Sequence, residues 1–374
     1  MLEKSSITSA ETSTQFSAGT NAHGKFYIPS LDGIRAFAFL LVFLSHARLG
    51  KLVPGGLGVT VFFFLSGYLI TTLLRREYDR YETLDFKLFY LRRILRIWPS
   101  FYLVLFVGTA LTAFGFLRGE IYLPAFLSQV LHYANYYRIF SDGHGVTLGS
   151  WVYWSLAVEE HFYLLFPLLY LALRKLRVSP AKQLLTILGL CLVVLVWRCI
   201  LIYGFGVSED RSFYATDTRV DGILFGCALA VYNNPMLDVQ HYANKVWQYF
   251  FFPAGIILIL FSLLYRSPEF QESFGYTIQG IGLYPIFFTA IRFPKWGLFP
   301  IVNFNWVRFI GLLSYSLYLV HYTVIFGVRI YLPQFPKVAQ GGIALLISLG
   351  LAYLIYQFIE SPIGNLRKKL SRAS

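Results

Sequence analysis

Between Ala36 and Glu360 the chain alternates long apolar runs with short charged connections, and this alternation admits one kind of fold. About 20 apolar residues in a helix cross ~30 Å of hydrocarbon. By that length rule the spans fall at 31–48, 57–75, 98–117, 151–173, 183–204, 213–232, 248–265, 276–292, 308–331 and 340–359. The expected fold is therefore an all-α polytopic membrane protein of about ten transmembrane helices. The sixth span is the weakest, because Asp217, Arg219 and Asp221 leave a clean run only from Gly222 to Tyr232. Such a run could be re-entrant, and the stretch 121–137 could lie in the interface. Composition agrees: charged residues make up 14% of the chain, against about 25% in soluble domains. Aromatics reach 19%, more than one soluble core would bury. A soluble enzyme, a disordered chain and a secreted disulfide scaffold are all excluded.

The charge excess orients the chain. Lys and Arg number 32 against 19 acidic residues, a net +13. With the amino terminus inside, 21 of those 32 fall on cytoplasmic segments, nine on the outer side, and Arg35 and Arg198 within spans. This asymmetry predicts that both termini are cytoplasmic. It also excludes nucleic acid as a partner, since the cations are scattered over connections and form no single face. The densest segment is 75–97, read as a loop carrying seven Lys/Arg. Residues 1–26 are polar and lack the apolar core of a signal peptide, so they are expected to be a disordered cytoplasmic tail. The membrane domain covers 27–368, and 369–374 form a basic tail. No internal repeat is visible. Cys191, Cys199 and Cys227 are an odd set without metal-ligand spacing, so they are read as small apolar residues, with a reactive thiol as the alternative. No metal site is expected.

Ionisable side chains inside spans are costly and mark candidate sites. The first helix holds Asp32, Arg35 and His46. At 100° per residue, Arg35 and His46 are about 20° apart on the helical wheel, and Asp32 about 40° from His46 on the other side. The three share one stripe, with His46 ~16 Å along the axis from Arg35, near midplane depth or slightly outward. Histidine is suited to take and return a proton near neutral pH; the alternative is a core residue bonded to a neighbouring helix. If helical, Arg93 and Arg96 are i and i+3 on one face. Paired guanidinium forks suit a phosphate-bearing ligand, while a basic patch against anionic lipid headgroups fits equally well. Gly58, Ser66 and Gly67 permit close helix approach.

The fourth span buries Ser155, Glu159, Glu160 and His161 below an aromatic belt at Trp151 and Trp154. Ser155 and Glu159 are i and i+4 and can bond to each other. At least one of the paired carboxylates should meet a buried Arg or a polar cavity. General acid, acceptor-sugar ligand and structural ion pair all fit. Asp217, Arg219 and Asp221 cluster at the outer end of span six, and Ser314, Tyr318 and His321 form a polar stripe at i, i+4 and i+7; both read as internal hydrogen-bond networks. Glu360 could cap or pair with Arg367 and Lys368.

Taken in order, these segments resemble the acyltransferase-3 family of integral-membrane O-acyltransferases. The matching pieces are Leu31-Asp32-Gly33-Ile34-Arg35-Ala36 with His46; Gly58-Val59 through Phe63-Phe64-Leu65-Ser66-Gly67-Tyr68-Leu69-Ile70; and Arg93-x-x-Arg96 before Trp98-Pro99. Trp154-Ser155-Leu156-Ala157-Val158-Glu159-Glu160-His161-Phe162-Tyr163 follows, then Arg219-Val220-Asp221-Gly222, Ser314-Tyr315-Ser316-Leu317-Tyr318 to His321, and Ile359-Glu360-Ser361-Pro362. The resemblance runs over 27–368. One departure is His161, where the family usually has Gln, so hydrogen bonding near Glu160 is expected to differ.

The resemblance implies transfer of an acyl group, commonly acetyl from acetyl-CoA, to a hydroxyl of a surface glycan or lipid-linked sugar at a bacterial inner membrane. Acyl-CoA would be a donor substrate, with no permanently bound cofactor. His46 is the expected catalytic histidine, and Arg93 and Arg96, with Arg92 beside them, are the expected acyl-CoA contacts. Arg35 sits in a functional motif, and Asp32 and Glu160 join it as catalytic candidates. Ser155, Glu159, His161, Asp221, Ser314, Tyr318, His321 and Glu360 are expected in the acceptor site or a structural polar network. Two alternatives stand beside this: acylation of a small molecule such as a macrolide, and a proton-coupled transporter or flippase, which polar spans with a midplane His would also suit.

Overall fold

A computed structural model describes residues 28–49 and 53–370; the amino-terminal tail 1–26, Lys51 and residues 371–374 lie outside the described residues. Among the described residues there is no strand. Helix α1 (Pro29–Leu44) opens with a proline in its first turn, where the missing N–H costs no hydrogen bond. It ends in a π-helical turn, Ser45–Leu49, that carries His46. Helix α2 (Gly55–Tyr81) stops at Glu82, whose φ is 54°. Helix α3 (Phe86–Ala113) is capped by Asp85, whose side chain accepts from the Leu88 N–H at 3.0 Å. The basic stretch 75–97 is therefore not a loop but two helix ends joined by a four-residue turn. Arg, Glu, Lys and Leu are strong helix formers, so both helices continue past their apolar stretches.

Helices α4 (Leu123–Val130) and α5 (Ala134–Ser141) are short and separated by a turn in which His132 has φ 56°. The stretch 121–137 is no span. Next come α6 (Trp154–Lys175), α7 (Pro180–Cys199), α8 (Glu209–Tyr214) and α9 (Thr216–Val231). The chain closes with α10 (Asn244–Leu264), α11 (Pro268–Arg292), α12 (Asn305–Leu312), α13 (Ser314–Tyr331) and α14 (Lys337–Arg367). Eight helical stretches among the described residues are long and apolar enough to cross a membrane, and α12 with α13, bent by 70°, make a ninth. The protein is a multi-pass membrane protein.

The expected span at 213–232 is α9, whose 16 residues rise about 24 Å, short of the hydrocarbon thickness. Almost every residue of α9 is buried, and α2, α6, α7 and α11 pack around it. Its neighbours are protein and not lipid, which is why Arg219 and Asp221 are tolerated within it. Helices α2 and α9 meet without a gap. A Cβ on Gly67 would stand 1.9 Å from the Ile223 carbonyl oxygen, and one on Gly226 would stand 1.9 Å from that of Phe64. By contrast α7 and α10 turn Leu185, Leu192, Val193, Ile257 and Leu260 outward, the faces expected against lipid tails. Cys191 and Cys227 are buried, Cys199 half-buried, and all three are free thiols.

A second apolar cluster joins α1, α13 and α14 through Phe39, Phe43, Leu317, Ile325, Ala344 and Ala352. Here α12 crosses α1 so closely that a Cβ on Gly311 would meet the Asp32 carbonyl oxygen at 1.8 Å. Helices α1, α2, α3, α6, α13 and α14 leave a polar cavity between them.

Candidate active site

The cavity has a volume of about 510 Å³. Helix α1 supplies Asp32 and Arg35, one turn apart, and Arg35 Nη1 donates to Asp32 Oδ1 at 3.1 Å. Helix α3 supplies Arg93 and Arg96, which share a face at i and i+3, as the spacing requires. Ser155, Glu159, Glu160 and Tyr163 enter from α6, Ser314, Tyr315 and Tyr318 from α13, and Glu360 and Arg367 from α14.

The charges in this lining are unevenly satisfied. Tyr163 donates to Glu159 Oε2 at 2.6 Å, and the Ser316 hydroxyl donates to Glu360. Asp32 is held by Arg35. None of Arg93, Arg96 and Arg367 forms an ion pair among the described residues. Arg93 Nε and Glu160 Oε1 are buried without a hydrogen-bond partner among the described residues. A buried group left in that state is costly unless something completes it, so a ligand with both acceptor and donor atoms fits here.

His46 stands apart from this lining. Its Nδ1 is 2.9 Å from His321 Nε2, its ring packs edge-on against Tyr322, and its carbonyl accepts from Arg329 Nη2 at 2.6 Å. The cavity lining includes Phe62 and Tyr318, whose rings meet edge to face at 6.1 Å, and His321 packs on Tyr318 with neither histidine in the lining. The stripe expected of Asp32, Arg35 and His46 is thus divided: two open into the cavity, and the third, on the π-helical turn, meets α13 beyond it.

Several expectations are redirected. Ser155 bonds not to Glu159 but to the Tyr318 hydroxyl at 2.7 Å and the Val152 carbonyl at 3.2 Å, while Glu159 Oε2 accepts from Tyr163. Arg92 turns from the cavity and donates to Glu77 Oε2 at 2.9 Å. His161 also lies outside the lining, with Nδ1 2.7 Å from the Thr216 hydroxyl, so the departure from the family pattern does not face the cavity. Near it His132, in the turn between α4 and α5, is held down to about 4 by burial and then by His161. Asp221 is a structural partner: Arg198 Nη1 and Nη2 donate to Oδ1 and Oδ2 at 2.9 and 2.8 Å. Arg219 donates to the Phe213 carbonyl and the Thr60 hydroxyl and lies 3.7 Å from the Tyr276 ring centroid. Glu360 lines the cavity with Arg367, while the Lys368 side chain lies outside the described residues. Tyr163 and Ser316 were not anticipated as carboxylate partners, although Tyr163 stands at i+4 from Glu159 and helical spacing alone would have found it.

Comparison with known proteins identifies the family of the chain. A family model described as an acyltransferase domain, of acyltransferase family 3, matches residues 28–357. The peptidoglycan O-acetyltransferase OatA of Listeria monocytogenes is 32% identical over 364 residues, covering 92% of this chain and 57% of the relative. The O-acetyltransferase OatA of Staphylococcus aureus is 31% identical over 365 residues, covering 92% of this chain and 58% of the relative. The chain thus spans little more than half the length of the curated relatives it matches. No solved structure gives a significant match. The helical bundle, the ordered motifs and the match over most of its length together place this chain in the acyltransferase-3 family.

Proposed function

We propose that this chain transfers an acetyl group from acetyl-CoA to a hydroxyl of a cell-wall glycan of the peptidoglycan class, at a bacterial inner membrane. The observation that carries the reading is the convergence of Arg93, Arg96 and Arg367, unpaired among the described residues, on one membrane-embedded cavity. CoA is a phosphate-rich anion, and guanidinium forks are the side chains best matched to phosphate. Arg35, Arg93, Arg96 and Arg367 of this lining stand toward the helix ends that the distribution of Lys and Arg assigns to the cytoplasm, the side on which acetyl-CoA resides. The relatives named above act on peptidoglycan or are named as O-acetyltransferases, which favours a glycan acceptor.

In this reading His46 is the general base. It takes the proton of the acceptor hydroxyl as that oxygen bonds to the acyl carbon, the carbon–sulfur bond then breaks, and the leaving thiolate recovers the proton from His46. Arg35, held by Asp32 ~16 Å along α1 from His46, is too far away to meet the thioester oxygen there and adds its positive charge to the part of the cavity that takes the acyl-CoA phosphates. Because His46 lies beyond the lining, the pantetheine arm must carry the acetyl group past Phe62 and Tyr318.

The test is incorporation of label from radiolabelled acetyl-CoA into soluble peptidoglycan oligomers by the purified chain in liposomes. The expected product is a base-labile glycan ester that disappears in His46→Ala. Absence of glycan-bound label, or full transfer by His46→Ala, would contradict the proposal.

A further inference from the structure

We infer that His321 is a positioning residue that fixes His46 in the tautomer with a bare, basic Nε2. The inference rests on His46 being the general base, and it is drawn from hydrogen-bond geometry alone. His321 Nδ1 lies 2.7 Å from the Tyr318 carbonyl oxygen. A carbonyl can only accept, so Nδ1 carries the proton. His321 is fully buried, and the charged groups at this turn are both cations, Arg48 on the turn itself and the Arg329 guanidinium on the His46 carbonyl. A second proton on His321 would place an imidazolium in an apolar pocket beside a cation, which is strongly disfavoured. His321 is therefore neutral and its Nε2 is an acceptor.

The partner of that acceptor is His46 Nδ1 at 2.9 Å. The two ring planes are inclined by 17°, and the 5.2 Å between centroids matches the 2.9 Å N···N distance plus a ring radius at each end, which places the two nitrogens on the line between the rings, as in an in-plane N–H···N bond and not in face-to-face stacking. His46 must then hold its proton on Nδ1, which leaves the Nε2 lone pair free for the acceptor hydroxyl. The hydrogen bond made by one ring nitrogen dictates the state of the other. Phe39, edge-on to His321 with centroids 5.7 Å apart, and Phe43 at 6.3 Å hold the ring from the side. Once His46 is charged during the reaction, its Nδ1–H still points at a neutral acceptor, which steadies the imidazolium without moving a second proton.

The measurement is nitrogen-15 NMR of histidine-labelled full-length chain in bilayers, with kcat and KM for acetyl-CoA measured on soluble peptidoglycan oligomers. In the wild type, His46 should show a protonated Nδ1 and a bare Nε2. In His321→Leu the two tautomers should mix, and kcat should fall roughly 10²-fold while KM for acetyl-CoA stays within about twofold. His321→Gln places an amide oxygen near the lost Nε2 and should recover to within about tenfold of wild type, a rescue that a merely space-filling role would not give. A proton on Nε2 of His46 in the wild type overturns the inference. So does an unchanged kcat in His321→Leu alongside an inactive His46→Ala. A fully active His46→Ala instead removes the base reading, a distinct outcome read in the same assay.

Discussion

Arg198 and Asp221 face each other through two parallel hydrogen bonds, both side chains fully buried, and so tie α7 to α9. Thr277 on α11 donates to the same carboxylate at 3.1 Å, which brings a third helix to the pair. Removing one partner strands the other charge, so Arg198→Leu should destabilise the solubilised protein by about 3–5 kcal/mol. The double variant Arg198→Leu/Asp221→Leu should recover a large part of that loss. Thermal unfolding in detergent checks both, and equal destabilisation of single and double variants would refute the pair's role.

Arg93 and Arg96 point into the cavity, while their neighbour Arg92 is engaged by Glu77. Each charge-assisted hydrogen bond to phosphate contributes about 1.5–3 kcal/mol, or roughly tenfold or more in affinity. Arg93→Gln/Arg96→Gln should therefore weaken acetyl-CoA binding by about 10²-fold with the fold retained, and Arg92→Gln should leave it nearly unchanged. Calorimetric titration of the purified variants separates the two cases.

The backbones of α2 and α9 touch at Gly67 and Gly226, with no room for a side chain. Gly226→Val should force the helices apart at a cost of at least about 1–3 kcal/mol, since over-packing a dense interface displaces backbone. The readout is the thermal midpoint in detergent, compared with Gly189→Ala on α7, where an added Cβ meets nothing within 4 Å.

His161 follows Glu160 in the chain but bonds to Thr216 and does not enter the cavity lining. His161→Gln, which restores the family's usual residue and can still bond to the hydroxyl, should change transfer rates by no more than about twofold, as substitutions away from a site generally do. A large change in the labelled-acetate assay would place His161 nearer the chemistry than its hydrogen bond does.

Nearly all of the architecture was legible in the sequence, because each expected span at 31–48 through 340–359 is a run whose length and polarity leave few alternatives to a helix. The exceptions have physical causes. Helix α9 is short because a helix surrounded by protein need not match the bilayer, and nothing local announces which helices will surround it. The 70° bend between α12 and α13 is also a tertiary feature. In the site, the i, i+3 pairing of Arg93 with Arg96 and of Asp32 with Arg35 followed from helical periodicity. What periodicity could not supply was the partner across helices. His46 and His321 are 275 residues apart, and His46, on the π-helical turn ~16 Å along α1 from Arg35, stands beyond the cavity. Ser155 looked like a partner for Glu159 until Tyr318 and Tyr163 claimed their two ends.

The proposed activity esterifies a cell-wall glycan with acetyl groups. Mass spectrometry of enzymatically released wall glycan, from cells with the intact chain and from cells lacking it, tests that claim most directly. The expected result is a mass increment of one acetyl group on saccharide hydroxyls that is lost with the chain and not restored by His46→Ala. An unchanged ester content in cells lacking the chain would contradict it.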